Sequence, residues 1–288
     1  MLWLIPALLS ALFDSLKDIA SKKSLKDVEP EVAALANTLF AVPVVLVALL
    51  IFEKPIFDKT FWIIMSVSSI ILSVSFILYM KSLKSTDVSL AIPFTAVSPA
   101  FMLVVTPLLI GESTTKTGSF GVLLIVLGAY LINANKNSGS VLEPIRSAIH
   151  DKGVLLMLIV AFLWSITATL DRVILRHASP LFYMTFYYLL ISVLLSINAF
   201  YKCKKPVFAQ IRKNIKPLAS IGIFFAIGQI AYIYAYTLTF AAYVVAVKRT
   251  NALFSVVLGA IFFKEKNLRG RLLGAAFIVL GVAIIALY

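Results

Sequence analysis

Residues 60–80 read TFWIIMSVSSIILSVSFILYM, a run without a single charge or proline. A helix rises 1.5 Å per residue, and about 20 mainly apolar residues cross the hydrocarbon of a bilayer. Working outward from this run, apolar stretches punctuated by Lys, Pro and Asp recur at 2–21, 32–52, 60–80, 88–110, 117–134, 153–173, 181–201, 217–238, 242–263 and 270–287. The opening run continues through Ser15 and Leu16 with no small-residue cleavage signature, so it reads as the first helix, not a removed signal peptide. Across the 288 residues, 61% are hydrophobic and 14% charged, with a mean hydropathy of +1.01. A soluble domain averages about 45–50% apolar and about 25% charged residues. No surface could cover that excess of oil, which excludes a water-soluble enzyme or a nucleic-acid binder. The expected fold is all-α integral membrane, with ten transmembrane helices. The expected location is multi-pass in a cell membrane, the inner or plasma membrane of a prokaryote, with the lipid bilayer as partner and no nucleic acid.

The longest polar stretch, 135–152, divides the chain into two five-span repeats, 1–134 and 153–288, and reads as the linker loop. An offset of 150 places Ala11-Leu-Phe-Asp-Ser15 on Ala161-Phe-Leu-Trp-Ser165 and Glu29-Pro30 on Ser179-Pro180. An offset of 153 places Gly111-Glu112 on Lys264-Glu265, Gly121 on Gly274 and Gly128 on Gly281. Five spans is an odd number, so the second repeat enters the bilayer from the opposite face and the halves form inverted repeats. Secondary transporters are built this way, with their substrate site near the midplane between the halves. Glycines seven apart lie about two turns apart on one helix face, which lets the fifth and tenth spans pack closely.

A Lys or Arg at the centre of a span costs about 2.5–3.5 kcal/mol on insertion scales, so such residues are functional candidates. Lys248 and Arg249 lie six to seven residues into the ninth span, roughly 10 Å along its axis. Arg presents a planar fork suited to phosphate or carboxylate, and Lys adds a mobile point charge. Asn251 and Tyr243 are placed to add neutral hydrogen bonds. The competing reading is that the pair neutralises acids on other helices: Asp14 and Asp18, one turn apart beside Lys17, or Asp171 near the end of the sixth span. Tyr183, Tyr187, Tyr188, Tyr232, Tyr234 and Tyr236 crowd the expected cavity, and Tyr232, Tyr236 and Gln229 fall at helical spacing. Pro93, Pro99 and Pro107 interrupt the fourth span.

Two five-span halves, with Ser98-Pro99, Gly111-Glu112, Gly121 and Gly128 in the first and Lys248–Ser255, Lys264-Glu265, Gly274 and Gly281 in the second, resemble the drug/metabolite transporter superfamily, EamA type. The resemblance spans essentially the whole chain and implies a ten-helix permease. Lys248-Arg249 is similar to the Lys-Arg pair with which plastid sugar-phosphate translocators of that superfamily hold a phosphate. Those translocators also use a lysine in the fourth span, where 88–110 carries no charge here.

The function expected is alternating-access transport of a small polar metabolite, anionic or zwitterionic, bearing a phosphate or carboxylate. The substrate-binding candidates are Lys248, Arg249, Asn251, Tyr232, Tyr236, Gln229 and Tyr243. The alternative is a proton-coupled exporter of cationic drugs or amino acids that uses Asp14 and Asp18, with Lys17 beside them. A carboxylate in a low-dielectric cavity resists ionisation and can carry a proton. A lipid-modifying membrane enzyme is the third class; the Asp-rich diphosphate-metal motif, Ser-His-Asp set or clustered histidines that it would use are not in the sequence. Cys203 is the single cysteine and the two histidines, His150 and His177, lie in loops, so no thiolate or imidazole metal set is expected. No Gly-rich ATP-binding motif occurs, and no cofactor is expected. Partners reduce to a small-molecule substrate and the bilayer, with the protein as a monomer or homodimer.

Most of the 26 Lys and Arg residues lie in the gaps after odd-numbered spans. Only Lys54, Lys59, Lys116, Arg172 and Arg176 lie in gaps after even-numbered ones. The positive-inside rule then puts both termini outside, whereas the resemblance implies termini in the cytoplasm. A reporter fused after Tyr288 that is active only in the cytoplasm should be silent; activity overturns the charge-based orientation.

Overall fold

The computed structural model describes residues 3–111, 116–133, 151–238, 244, 247–263 and 268–287, and their regular structure is helical apart from one isolated bridge, Phe57 with Ala178. In chain order the helices are α1 (Leu4–Ser24), α2 (Pro30–Leu39), α3 (Ala41–Phe52), α4 (Lys59–Ser85), α5 (Val88–Ala91), a 3-10 segment Ile92–Val97, and α6 (Ser98–Ile110). There follow α7 (Lys116–Asn133), α8 (Lys152–Ile174), α9 (Pro180–Lys202), α10 (Val207–Lys213), α11 (Ile215–Leu238), α12 (Asn251–Phe263) and α13 (Leu268–Leu287). Among the described residues, five stretches are long and apolar enough to cross a membrane: Pro30–Phe52, Lys59–Ser85, Lys152–Ile174, Pro180–Lys202 and Ile215–Ala235. The burial pattern suits lipid: Leu50 and Leu108 are 77% and 80% exposed, while Ser10, Asp14, Ser15, Lys17, Asp18 and Ser21 of α1 are buried.

Three of the expected spans are interrupted. The second bends between α2 and α3, because Pro43 has no N–H to give the carbonyl four residues before it. The fourth breaks as its prolines suggest, with Pro93 in the 3-10 segment and α6 restarting at Ser98. The ninth, expected as one helix over 242–263, turns at Arg249-Thr250 and restarts at Asn251. No proline causes that break. Thr250 closes back on the Val247 carbonyl twice, through its N–H at 3.0 Å and its hydroxyl at 2.8 Å. One further short helix, α10, lies in the gap between the seventh and eighth spans.

The most extensive helix contacts recur when the halves are exchanged. Helix α1 lies along α11, and its counterpart α4–α8 forms an equally extensive contact. The α2–α3 segment packs on α9, and α7 runs along α13. The α7–α13 seam uses the paired glycines reciprocally. A Cβ added at Gly128 would lie 2.7 Å from Ile278 atoms and meet the Gly274 carbonyl; one added at Gly281 would lie 2.9 Å from Ile125 and meet the Gly121 carbonyl.

Two polar clasps join the halves at opposite ends of Pro30–Phe52. At one, the Glu53 carboxylate accepts the Leu181 and Phe182 N–H groups, both at 3.0 Å, at the start of α9. Beside it the His177 carbonyl accepts the Asp58 N–H, the Ile56 carbonyl accepts the Ser179 N–H, and the Phe57 and Phe182 rings stack at 4.5 Å. Hydrogen bonding to His177 holds the Asp58 carboxyl below its ordinary range. At the other clasp, Glu29 accepts the N–H groups of Lys204 and Lys205 and the side-chain amide of Gln210. Burial pushes the Glu29 carboxyl up, but these donors outweigh it and hold the group below its ordinary value. The offset of 150 carries one clasp onto the other.

The glycine seam leaves no room for a side chain. Gly128→Ala and Gly281→Ala should each lower stability by about 1–3 kcal/mol, and Leu at either position should leave little folded protein. Thermal unfolding in detergent measures both, and unchanged melting temperatures would contradict this packing.

Candidate functional site

The two broken helices meet at the centre. Ser98 and Asn251 begin α6 and α12 and are equivalent under the offset of 153. Arg249, in the turn before one restart, donates from its guanidinium to the Ser98 hydroxyl at the other, 2.5 Å away. At Ser98 the 3-10 segment runs straight into α6, the Ser98 N–H bonding the Thr95 carbonyl, and at α12 the Thr250 carbonyl accepts the Leu253 and Phe254 N–H groups. Asn251 is buried, and its side-chain oxygen has no hydrogen-bond partner. The Asn251 main-chain carbonyl accepts the Ser15 hydroxyl at 3.0 Å, which ties α12 to α1.

A cavity opens beside these restarts, with about 130 Å³ of water-reachable space, comparable to about four waters at their liquid volume. Its wall includes Asp14, Lys17, Asp171, Gln229, Tyr232, Lys248, Arg249 and Asn251. Lys248 reaches across to the Asp14 carboxylate, Nζ to Oδ2 3.2 Å, and lies 4.3 Å above the centre of the Tyr232 ring. Lys17 pairs with Asp18 at 3.0 Å and lies 4.7 Å above the Tyr79 ring. Asp18, fully buried, also accepts the Tyr79 hydroxyl and stands behind the cavity wall. Tyr79 and Tyr232 are themselves equivalent under the offset of 153.

The structure thus gathers most residues singled out in the sequence. Lys248, Arg249, Asn251, Tyr232, Gln229, Asp14 and Lys17 share one cavity, as do Tyr183, Tyr187 and Tyr188. Asp18 does not reach it, and Tyr234, 59% exposed, faces outward. Tyr236 lies one turn beyond Tyr232 on α11. Tyr243 lies outside the described residues. Lys248 pairs with Asp14, whereas no carboxylate among the described residues pairs with Arg249, whose Nε is buried without a partner. Asp14 and Asp18 each have a lysine at ion-pair distance.

Sequence reading missed Phe76, Tyr79, Trp164 and Ser98. Phe76, Tyr79 and Trp164 line the cavity, with Trp164 stacked on Tyr79 at 5.4 Å and bonded to the Ser75 hydroxyl at 3.1 Å. The repeat held the signal: Phe76 is the mate of Gln229, Tyr79 of Tyr232, Trp164 of Asp14 and Ser98 of Asn251.

The model of the EamA-like transporter family matches residues 1–134 and 151–287. An uncharacterised transporter of Archaeoglobus fulgidus is 26% identical over 284 residues, 97% of this chain and 96% of that protein. A protein of known crystal structure, 16% identical, superposes with a TM-score of 0.67 over 98% of this chain and 96% of its own. That likeness concerns the fold.

The Asp14–Lys248 pair makes a separable prediction. Removing one partner of a buried pair strands the other charge, at a cost of about 3 kcal/mol or more. Lys248→Met and Asp14→Asn should each destabilise the protein, and the double variant should recover part of the loss. Additive losses in chemical unfolding would show that the two groups are not coupled.

Proposed function

This chain belongs to the EamA-like transporter family, and from that footing we propose that it is a secondary transporter of a small metabolite bearing a phosphate or carboxylate, moved by alternating access between inverted repeats. It is a multi-pass membrane transporter by family and helix composition. Ten spans in two five-helix units, 1–134 and 153–288 joined by 135–152, complete this reading. Its support is the exchange-symmetric packing, the clasps at opposite ends of Pro30–Phe52, and the two helices interrupted at equivalent positions. Half-helix N-termini facing a central site are how such transporters receive anionic groups.

The observation that carries the anion is Arg249. Its guanidinium stands on the cavity wall with one neutral partner, the Ser98 hydroxyl, and no carboxylate among the described residues. A planar fork held this way offers two parallel donors to a phosphate or carboxylate. Asn251 and the α12 N-terminus sit beside it, and Lys248 over Tyr232 adds positive potential. A cation exporter working through Asp14 or Asp18 would have to displace a lysine from either carboxylate first.

A ligand that binds the folded state raises its stability, by about 2.7 kcal/mol at a hundred times Kd. Phosphorylated and carboxylated metabolites should therefore raise the melting temperature of the purified protein. Arg249→Gln should lose the shift, and Arg249→Lys should keep part of it. Equal shifts in the Gln variant, or stabilisation by cations alone, would overturn the proposal.

A further inference from the structure

Six ionisable groups converge on the centre of the molecule, and two are left over. Lys17 pairs with Asp18 and Lys248 with Asp14, which leaves Arg249 and Asp171. Asp171 lies on the cavity wall, one turn before the end of α8. Its Oδ1 accepts the Tyr183 hydroxyl at 2.5 Å; among the described residues its other oxygen has no hydrogen-bond partner and no cation lies within 4 Å. Three rings of α9 border it: Tyr183, Tyr187 and Tyr188 all line the cavity, with centroids 4.9 Å apart for the first two and 5.8 Å for the next. The Ser68 and Tyr187 hydroxyls are hydrogen-bonded at 2.7 Å, which fixes that ring.

We infer that Asp171 and the tyrosine face of α9 form a subsite for a cationic nitrogen, so that the substrate is a zwitterion whose anionic end meets Arg249. This rests on the reading of the site as an anion carrier and adds the opposite pole. A carboxylate kept from water needs a counter-charge or several donors. The fold gives Asp171 one neutral donor, the Tyr183 hydroxyl, and places the residue on the cavity wall. A protonated amine supplies the missing charge there, donates to the carboxylate, and lies against aromatic faces that attract cations within about 6 Å.

The test uses the purified full-length protein and two sets of probes differing only in charge: leucine, 4-methylpentanoate and 3-methylbutylamine; phosphoethanolamine, ethyl phosphate and ethanolamine. Affinities are read by calorimetry. In at least one set the zwitterion should bind at least about tenfold more tightly than either single-charge counterpart. Asp171→Asn should abolish that preference while leaving Arg249-dependent binding of the plain anion, which also reports that the variant is folded. Asp171→Glu should restore part of it. Tyr187→Leu, which removes a ring and no charge, should reduce the preference and serves if Asp171→Asn does not fold. Plain anions that bind as well as the zwitterions, in an Arg249-dependent way, would overturn this inference and leave the anion reading standing. Binding that ignores Arg249, or no binding of any probe, would overturn both. A preference for nitrogen untouched by Asp171→Asn would overturn the assignment of the subsite.

Discussion

A charge inside a bilayer must be answered by another charge, by a ring of donors or by water, because the surrounding hydrocarbon offers none of these. The centre of this protein is arranged around that demand. Lys17 answers Asp18 on the same helix, and Lys248 answers Asp14 on another. Each lysine also rests on a tyrosine ring, one from each half. What remains without an ion-pair partner among the described residues, Arg249 and Asp171, lines the central cavity.

The backbone of the site is symmetric and its chemistry is not. Exchange of the halves superimposes the restarts at Ser98 and Asn251, the tyrosines Tyr79 and Tyr232, and the clasps of Glu53 and Glu29. Lys248 and Arg249, however, match Thr95 and Ala96, and Asp14 matches Trp164. In the alternating-access cycle proposed above, a duplicated frame would need similar backbone in both halves to close from either side, while the proposed zwitterion has two different ends, so the side chains that would meet it are free to diverge. The reciprocal glycines Gly128 and Gly281 belong to the frame, since each lies close against the backbone of the opposite helix and an isoleucine on it.

Breaks in the helices show how unevenly local sequence reports on structure. Pro93, Pro99 and Pro107 announced the interruption of the fourth span, because a missing N–H is a covalent fact. The turn at Arg249-Thr250 carried no such mark. It forms where Arg249 reaches Ser98 of the other half and Ser15 binds the Asn251 carbonyl, both contacts between residues far apart in the chain. Asp14 and Asp18 looked alike as a pair one turn apart. Only the packing of α1 against α4 and α12 turned one to the cavity and sealed the other behind Tyr79 and Ser255.

From the sequence alone came the membrane class, the runs that become helices, the duplication and the presence of Lys248 and Arg249 as charges within a span. All of these follow from hydropathy, spacing and the cost of a charge in oil, which act along the chain. The partners of each charge, the isolation of Asp171 and the identity of the Trp164–Tyr79 wall came from the tertiary structure. Ion pairs and cavities form between side chains drawn together from opposite halves, and their distances are set by how the helices pack, which no local pattern encodes.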